Sequence, residues 1–382
     1  MYISSPHEVE RKEIFAHGSL GSGRLNRTPK STLLAICAFQ RMHAERIAST
    51  SIEAYVCNTY FGDCWICLYG GRRIAMRFPR TQVIALVNQK GGCGKTSSSV
   101  AIAAAFCNLG YSACLADTDP QCNATESFGV RAESIVEDGK YTLADAYLKK
   151  RPATDIELDF GDRFGSNLTL LPGHRGLSSV PLKLESELQI AIADGEKTTL
   201  DADEMRSEQR LRLKKSLDAL RGKRDVVIID TPPSLDFLMV STLVAADWFI
   251  IPVFPSGYDL KGLELLMRTV SKVKERYNPS LRLAGVLLGN YDRTAILDRQ
   301  IHEMLKGRFG GETVFNTTIG RSVRMREATV HGKTIFELPD ASSQAEQFQA
   351  LIHEMLNRGS KRKDQTLNPL PDDEIFGKVA NG

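Results

Sequence analysis

The chain has 382 residues, of which 42% are hydrophobic and 25% are charged. These proportions are typical of a soluble globular protein whose core is large enough to be stable without disulfides or structural metals. The formal net charge of +3 is compatible with a nucleic-acid partner but does not indicate one. No apolar run reaches the ~18 residues of a transmembrane helix, and the first residues lack the basic-then-apolar order of a signal peptide.

The first 80 residues are predicted to form an irregular N-terminal extension. One amphipathic helix is predicted over residues 31–49, where apolar side chains alternate with basic ones. The remainder contains only short segments, and no second helix completes a helix-turn-helix. Translation from Met76, directly before the first strand of the next domain, is an alternative that the sequence leaves open.

From residue 81 onward, short apolar segments alternate with helical ones. Strands are predicted at 83–87, 112–117, 167–173, 226–230, 248–253 and 283–291. Helices are predicted over 96–110 and 260–277, and the segment 185–210 is predicted to be a helix with an exposed loop. This order predicts an α/β fold with three α/β/α layers around a mostly parallel, twisted sheet. The polar tail 359–382 is predicted to be disordered.

A glycine-rich loop with the sequence QKGGCGKTSS (89–98) follows the first strand of this sheet and opens the next helix. Three glycines let backbone N–H groups approach phosphate oxygens: Gly91, Gly92 and Gly94. The helix N-terminus adds positive partial charge. Lys95 would reach the β- and γ-phosphates, and the Thr96 hydroxyl would ligate Mg²⁺. The usual phosphate loop begins with glycine, whereas this one has Gln89 followed by a second lysine, Lys90.

Two acidic segments supply the carboxylates that a magnesium–nucleotide site requires. Asp117 and Asp119 follow the second strand in ADTDPQCNAT (116–125), and their spacing in an extended segment points both the same way. One of them can face the metal or an attacking water. Asp230 ends a strand in DVVIIDTPPS (225–234), where it is placed to hold the water shell of Mg²⁺.

Eight cysteines occur, four before residue 80 and four between residues 93 and 122. In a cytosolic nucleotide-binding protein, reduced thiols are the expectation. Cys64 and Cys67 have C-x-x-C spacing, and a zinc site that also uses Cys57 and His43 is the less favoured alternative.

The segments KGGCGKT, DTDPQCNAT and DVVIIDTPPSLDFLMVSTLVAADWFIIPV together resemble the ParA family of partition ATPases, within the deviant Walker A group of P-loop NTPases. The resemblance runs from about residue 82 to 357 and includes GVLLGNYDRT (285–294) and IGRSVRMREATVHGKTIFE (319–337). It implies an ATPase domain at 81–358 between the extension and the tail.

The resemblance also implies ATP and Mg²⁺ as cofactors and gives roles to individual residues. Lys90 would reach across a dimer interface to the partner's nucleotide, Lys95 would bind the γ-phosphate, and Asp119 would orient the hydrolytic water. The implied metal site is formed by Thr96, Asp117 and Asp230. The implied nucleotide contacts are Lys90, Gly91, Gly92, Cys93, Gly94, Lys95, Thr96, Ser97 and Asn290.

The family resemblance further implies partners and a cellular role. The expected assembly is an ATP-dependent homodimer that binds nucleoid DNA non-specifically through Arg293 and Arg324, in the cytoplasm and away from membranes. A ParB-like centromere-binding adaptor would stimulate hydrolysis and so drive partition of a chromosome or plasmid. Two positions depart from the family: Gly320 replaces a frequent proline near the adenine, and Cys93 replaces valine. A helix N-terminus can lower a thiol pKa, which leaves redox sensitivity of Cys93 open.

Three other functions are alternatives to partition. A MinD-like spatial regulator would need a C-terminal amphipathic helix on lipid, and residues 359–382 offer no such face. An iron–sulfur electron-transfer ATPase would need late cysteines, and none follows Cys122. An autoregulating DNA-binding ATPase would use residues 1–80 as a specific module, for which only one helix is predicted.

Overall fold

The computed structural model describes residues 52–59, 62–69, 72–78, 80–164, 167–198, 200–257, 259–340 and 342–362. Only the backbone is described for residues 52–77. The helix predicted over 31–49 and most of the tail lie outside the described residues.

The N-terminal extension contains a three-stranded antiparallel sheet with the order β1-β2-β3. Its strands are β1 (Ile52–Thr59), β2 (Gly62–Tyr69) and β3 (Arg72–Arg77). Ile52 pairs with Tyr69 and Thr59 with Gly62, so a two-residue connection joins the first two strands. The prediction of irregular structure is therefore wrong for this part. Its β-branched and aromatic residues, interrupted by short connections, are typical of β-hairpins.

The main sheet has seven strands in the order β10-β9-β4-β8-β5-β7-β6. The strands are β4 (Gln82–Leu86), β5 (Ala113–Asp117), β6 (Leu158–Asp159), β7 (Leu168–Leu171), β8 (Val226–Asp230), β9 (Trp248–Val253) and β10 (Arg282–Leu288). All neighbours are parallel except the edge pair β6–β7, which is antiparallel. The mostly parallel sheet predicted from the sequence is confirmed.

Twelve α-helices connect and cover these strands within the described residues. They are α1 (Lys95–Asn108), α2 (Asn123–Glu126), α3 (Ala132–Glu137), α4 (Leu143–Leu148), α5 (Ala153–Ile156), α6 (Val180–Ala193), α7 (Ala202–Leu217), α8 (Phe237–Ala245), α9 (Leu260–Arg276), α10 (Ile296–Phe309), α11 (Arg324–Val330) and α12 (Ser342–Arg362). The segment 185–210 falls into two helices, α6 and α7, rather than one. None of the described helices is long and apolar enough to cross a membrane.

Both faces of the sheet are buried, and β4 shows how the sequence achieves this. Val83 and Ala85 belong to one apolar cluster, which includes residues of α4, α6, α7, α8 and α9. Ile84 and Leu86 belong to a second cluster, which includes residues of α1 and α12. Because successive side chains of a strand point to opposite faces, a strand buried on both sides is apolar throughout.

The parallel register brings the carboxyl ends of the central strands to one edge. Asp230 at the end of β8 is the register partner of Leu86 on β4 and of Asp117 on β5. In open parallel sheets, ligands bind at this edge. The phosphate loop after β4 and the acidic segment after β5 therefore start from neighbouring positions.

Candidate nucleotide site

The phosphate loop uses glycine where its backbone requires it. Gly92 has φ = 71° and Gly94 has φ = 84°, both in the left-handed region that favours glycine. A Cβ atom on Gly94 would also lie 2.6 Å from the Phe254 ring. Gln89, in contrast, is not among the described residues with positive φ. The loop therefore forms without the leading glycine of the usual motif.

Asn88 fixes the start of the loop. Its Nδ2 atom donates to the carbonyl of Pro252 at 2.7 Å, and its Oδ1 atom accepts from the backbone N–H of Lys90 at 3.0 Å. The buried Asn88 side chain thus ties the loop to the end of the neighbouring strand β9 and orients the peptide of Lys90.

The two lysines of the loop occupy different environments. Lys95 is 7% exposed, whereas Lys90 is exposed. The Lys95 Nζ atom donates to the carbonyl of Lys90 at 3.1 Å, so the Lys95 side chain folds back over the loop. In this arrangement the Lys95 ammonium belongs to the interior of the phosphate loop, and the Lys90 side chain belongs to its outer surface.

Cys93 is a buried member of the loop rather than a reactive thiol. Its side chain is 3% exposed, and its Sγ atom donates to the Lys90 carbonyl at 3.1 Å. Burial raises the pKa of this thiol above its ordinary value, although the nearby Lys95 charge opposes the shift. The expectation that the helix N-terminus lowers the pKa of the Cys93 thiol, on which redox sensitivity depended, is therefore wrong.

Asp230 is one of three buried acids at the site, with Asp117 and Asp119. It is fully buried, and its Oδ1 atom accepts from the Ser99 hydroxyl at 3.0 Å. Ser99 lies on α1, one turn after Thr96, so the helix that opens at the phosphate loop also holds the carboxylate. The Oδ2 atom of Asp230 is buried and has no hydrogen-bond partner within the described residues.

The two strand-end acids influence each other. Burial, and then the neighbouring Asp117 charge, raises the pKa of Asp230 to about 7, while Thr96 and Ser99 oppose the shift. Burial also raises the pKa of Asp117 to about 6, against hydrogen bonds from Thr125 and Asp119. Two carboxyls that retain protons so far above their usual range mark a position where positive charge would be accommodated.

Asp117 also anchors the segment that carries Asp119. Its Oδ2 atom accepts from the Thr125 amide at 2.8 Å and from the Thr125 hydroxyl at 2.7 Å. Its Oδ1 atom accepts from the Asp119 amide at 3.2 Å. Asp119 is 6% exposed, and its own Oδ1 atom accepts from the Gln121 amide at 2.9 Å. The D-x-D pair is thus a fixed turn at the site.

Asn290 and its neighbours approach the phosphate loop from β10. A Cβ atom on Gly289 would lie 2.6 Å from the Phe254 ring, the same ring that excludes a side chain from Gly94. Asn290 itself has φ = 50°, a conformation that asparagine tolerates better than most residues. Further along, the Gly320 amide donates to Gln347 Oε1 at 2.7 Å.

The two predicted DNA-contact arginines lie on neighbouring segments, Arg293 in the loop after β10 and Arg324 at the start of α11. The Tyr291 amide donates to the Ile319 carbonyl at 3.0 Å, which joins the loop of Arg293 to the segment leading to Arg324. Arg293 is exposed. Arg324 pairs with Glu327 at 2.7 Å, so its setting is less basic than the sequence indicates.

The residues of the phosphate loop and the acids fit a magnesium–nucleotide. Gly92 and Gly94 keep the backbone open to phosphate, and Lys95 supplies a cation inside the loop. No group of three or more histidine, cysteine or acidic residues in the described part of the chain forms a complete metal cage. Mg²⁺ needs none, because it is usually held by one or two protein oxygens together with phosphate oxygens and waters.

Four residues of this site were not predicted from the sequence: Asn88, Ser99, Thr125 and Phe254. Ser99 could have been found, because it lies one helical turn after Thr96 and so faces the same way. Phe254 could not, because its role depends on packing between glycines that are nearly 200 residues apart. The four described cysteines, Cys93, Cys107, Cys114 and Cys122, are free thiols, as expected.

Comparisons with known proteins agree with this geometry. The sequence profile of the AAA domain matches residues 81–283. The chromosome-partitioning ATPase Soj of Thermus thermophilus is 34% identical over 276 residues, which cover 72% of this chain and 95% of that protein. The sporulation initiation inhibitor protein Soj of Bacillus subtilis is 34% identical over 281 residues, 73% of this chain and 99% of that protein.

A solved structure with a bound nucleotide is also similar to this chain. Cobyrinic acid a,c-diamide synthase from Mycobacterium smegmatis, with bound ADP and magnesium, is 28% identical and superposes with a TM-score of 0.55. The match covers 72% of this chain and 94% of that one. Together with the phosphate loop, the D-x-D turn and the buried Asp230, these similarities show that the chain belongs to the ParA/Soj family of P-loop ATPases.

Proposed function

We propose that this protein is an ATP-dependent dimer switch that binds DNA non-specifically and drives partition of a chromosome or plasmid. The observation that carries the proposal is the convergence of the buried Lys95, the D-x-D turn and the buried Asp230 at one edge of the sheet. The partition ATPases that the chain resembles over most of their length support the cellular role.

In the proposed reaction, water attacks the γ-phosphorus of ATP and the bond to the β–γ bridging oxygen breaks, which releases ADP and phosphate. Lys95 neutralises charge on the transferred group, and Asp119 orients the attacking water. Thr96 and Asp230 would hold Mg²⁺, with Asp117 beside them. The metal, when bound, offsets the negative charge of the phosphates.

Lys90 is assigned to the other subunit's nucleotide. Its exposed side chain and its inward carbonyl support this role, because the carbonyl fixes the residue while the ammonium stays at the surface. A cation supplied in trans would couple ATP binding to dimerisation and hydrolysis to the dimer, as an arginine finger does. The remaining nucleotide contacts are assigned to Gly91, Cys93, Ser97 and Asn290.

DNA binding is assigned to the surface that carries Arg293 and Arg324. Arg299 donates to the Arg293 carbonyl at 2.9 Å, and Arg321 and Arg326 are exposed on the adjoining segment. Clustered arginines suit phosphate contacts, which are independent of sequence and weaken with salt. We further propose that a ParB-like adaptor stimulates hydrolysis and that the protein acts in the cytoplasm on the nucleoid.

The experiment that tests this function measures binding of a fluorescent random-sequence duplex with ATP, with ADP and without nucleotide. We expect binding only with ATP, and an affinity that falls steeply as salt rises. The Asp119→Ala variant should stay bound to DNA in the presence of ATP, because the variant cannot hydrolyse the ATP. DNA affinity that is equal in all three nucleotide conditions would contradict the proposal.

A further inference from the structure

The guanidinium of Arg163 joins two segments that are far apart in the sequence. Its Nη1 atom donates to the carbonyl of Phe128 at 2.8 Å, and its Nη2 atom donates to the carbonyl of Gly332. The Nε and Nη2 atoms also donate to the two carboxylate oxygens of Glu337, at 2.8 and 3.1 Å. All three nitrogens of one side chain are therefore used to hold three separate acceptors.

The surroundings of Arg163 strengthen these bonds. The Arg163 side chain is 27% exposed and the Glu337 side chain 21%. The guanidinium lies 5.0 Å from the centre of the Phe164 ring and 5.8 Å from that of Phe160, which itself stacks on Phe128. A bidentate, partly desolvated pair backed by aromatic rings is stronger and better oriented than an exposed ion pair.

One end of this link leads to the nucleotide site. The Phe128 amide donates to the Thr125 carbonyl at 3.1 Å, and Thr125 binds the Asp117 carboxylate through both its amide and its hydroxyl. The short helix α2 lies between the D-x-D turn and Phe128. A displacement of the turn therefore reaches the carbonyl that Arg163 holds.

The other end leads to α11, the helix that begins with Arg324. Gly332 follows this helix with φ = 59°, and its amide donates to the Thr329 carbonyl at 3.0 Å. A Cβ atom on Gly332 would lie 2.7 Å from the Cα atom of Gly129, so the two backbones are in direct contact. Glu337 also accepts from the Thr334 amide at 2.7 Å, which secures the turn after the helix.

We propose that Arg163 is a positioning residue that transmits the state of the nucleotide site to the DNA-binding surface. It fixes the end of α11 against the segment that follows Asp119, so the two must move together. The inference rests on the proposed function, because Arg324 matters only if the protein binds DNA. The quantity that Arg163 controls is the ratio of DNA affinities with ATP and with ADP, which measures coupling between the two sites.

The test uses the full chain and measures two binding constants for each variant. We expect Arg163→Ala to bind Mg–ATP within about twofold of wild type while the ATP-to-ADP ratio of DNA affinities falls about fivefold to tenfold. Glu337→Gln keeps the shape of the side chain and should lower the same ratio. Arg308→Ala is the matched control, because Arg308 pairs with Glu264 at 2.6 Å with similar exposure, 20% and 23%.

The possible outcomes separate the two proposals. If wild type shows no ATP-dependent DNA binding, the proposed function fails. If wild type shows it and both Arg163→Ala and Glu337→Gln retain the full ratio, the positioning role is overturned. An equal loss in Arg308→Ala would overturn it as well, since the effect would then be general. If Arg163→Ala does not fold, Glu337→Gln and Arg308→Ala decide the question.

Discussion

The Nζ atom of Lys95 lies 3.1 Å from the carbonyl oxygen of Lys90. The side chain of Lys95 therefore donates a hydrogen bond to the backbone of Lys90. The Lys95 side chain is buried, whereas the Lys90 side chain is exposed. This contact offers a reason for the unusual motif. A residue at position 90 whose carbonyl faces inward presents its own side chain outward, where a second subunit can meet it.

The two lysines should fail in different ways when they are replaced. Lys95→Ala removes the cation inside the loop, and we expect Mg–ATP affinity to fall about 100-fold or more, as measured by calorimetry. Lys90→Ala should keep ATP affinity within about threefold of wild type while hydrolysis is lost. Equal losses of affinity in both variants would contradict the division of roles.

Asp230 should make the nucleotide-free protein less stable at high pH. With pKa values of about 7 for Asp230 and about 6 for Asp117, the folded state holds protons that the unfolded chain releases near pH 4. This stabilisation is complete below about pH 4 and is lost as the pH rises through 6 to 7. Asp230→Asn should remove most of this loss of stability at high pH. It should raise the free energy of unfolding at pH 8 by on the order of 2 kcal/mol.

Asp225 provides the matched control for this change. It is also buried, but its carboxylate accepts from the Phe78 amide at 3.0 Å, the Ser112 amide at 2.8 Å and the Ser112 hydroxyl at 2.7 Å. Asp225→Asn should therefore destabilise the protein at pH 8, opposite in sign to Asp230→Asn. Thermal melts without nucleotide at pH 5.5 and 8 distinguish the two. The same sign for both variants would refute the account of Asp230.

The Phe254 ring should make Gly289 intolerant of a side chain. Gly289→Ala would place a Cβ atom 2.6 Å from this ring, and we expect a loss of about 1–3 kcal/mol of unfolding free energy. Gly91→Ala is the control, because nothing lies within 4 Å of its added Cβ atom. Combining Gly289→Ala with Phe254→Ala should cost less than the sum of the two single changes. Strict additivity in urea titrations would show that the ring is not the obstacle.

Arg293 should contribute more to DNA affinity than Arg324. Arg293 is exposed, whereas Arg324 already pairs with Glu327 at 2.7 Å and must share its charge. We expect Arg293→Ala to weaken DNA binding across sequences and to reduce the slope of log K against log salt by about 1, with a smaller change for Arg324→Ala. Arg206→Ala, which alters an ion pair with Glu185 on α6 and α7, should leave the slope unchanged. A larger effect of Arg324→Ala would reverse this order.

Much of the sheet could be predicted because its strands are buried on both faces. The segments 226–230 and 248–253 were predicted with the bounds that β8 and β9 have. The strand predicted at 83–87 and the observed β4 differ by one residue at each end. A short apolar run bounded by polar turns indicates the position and the ends of such a strand from the local sequence alone. The sequence also places the phosphate loop, Asp117 and Asp230 at the ends of predicted strands, and the parallel register brings these ends together. The roles of individual residues rest on the family resemblance and stay predictions.

Other features depend on partners that no local pattern reveals. The antiparallel edge strand β6 has only two residues, too few for a periodic pattern. The ion pair of Arg163 with Glu337 joins positions 174 apart. Phe78 precedes the domain start predicted at residue 81, yet its ring stacks on that of Tyr111 with the ring centres 4.8 Å apart. Helix α12 continues past the domain end predicted at residue 358. Both boundaries stay predictions.

The central claim is that Lys90 acts on the nucleotide of the other subunit, and mixed dimers test it most directly. Lys90→Ala and Asp119→Ala, each inactive alone, are mixed in equal amounts and ATP hydrolysis is measured. A dimer with one subunit of each kind has one complete site only if Lys90 acts in trans. We then expect about a quarter of the wild-type rate, since half of the dimers are mixed and each has one working site. No activity above that of the separate variants, in mixtures shown to exchange subunits, would contradict the claim.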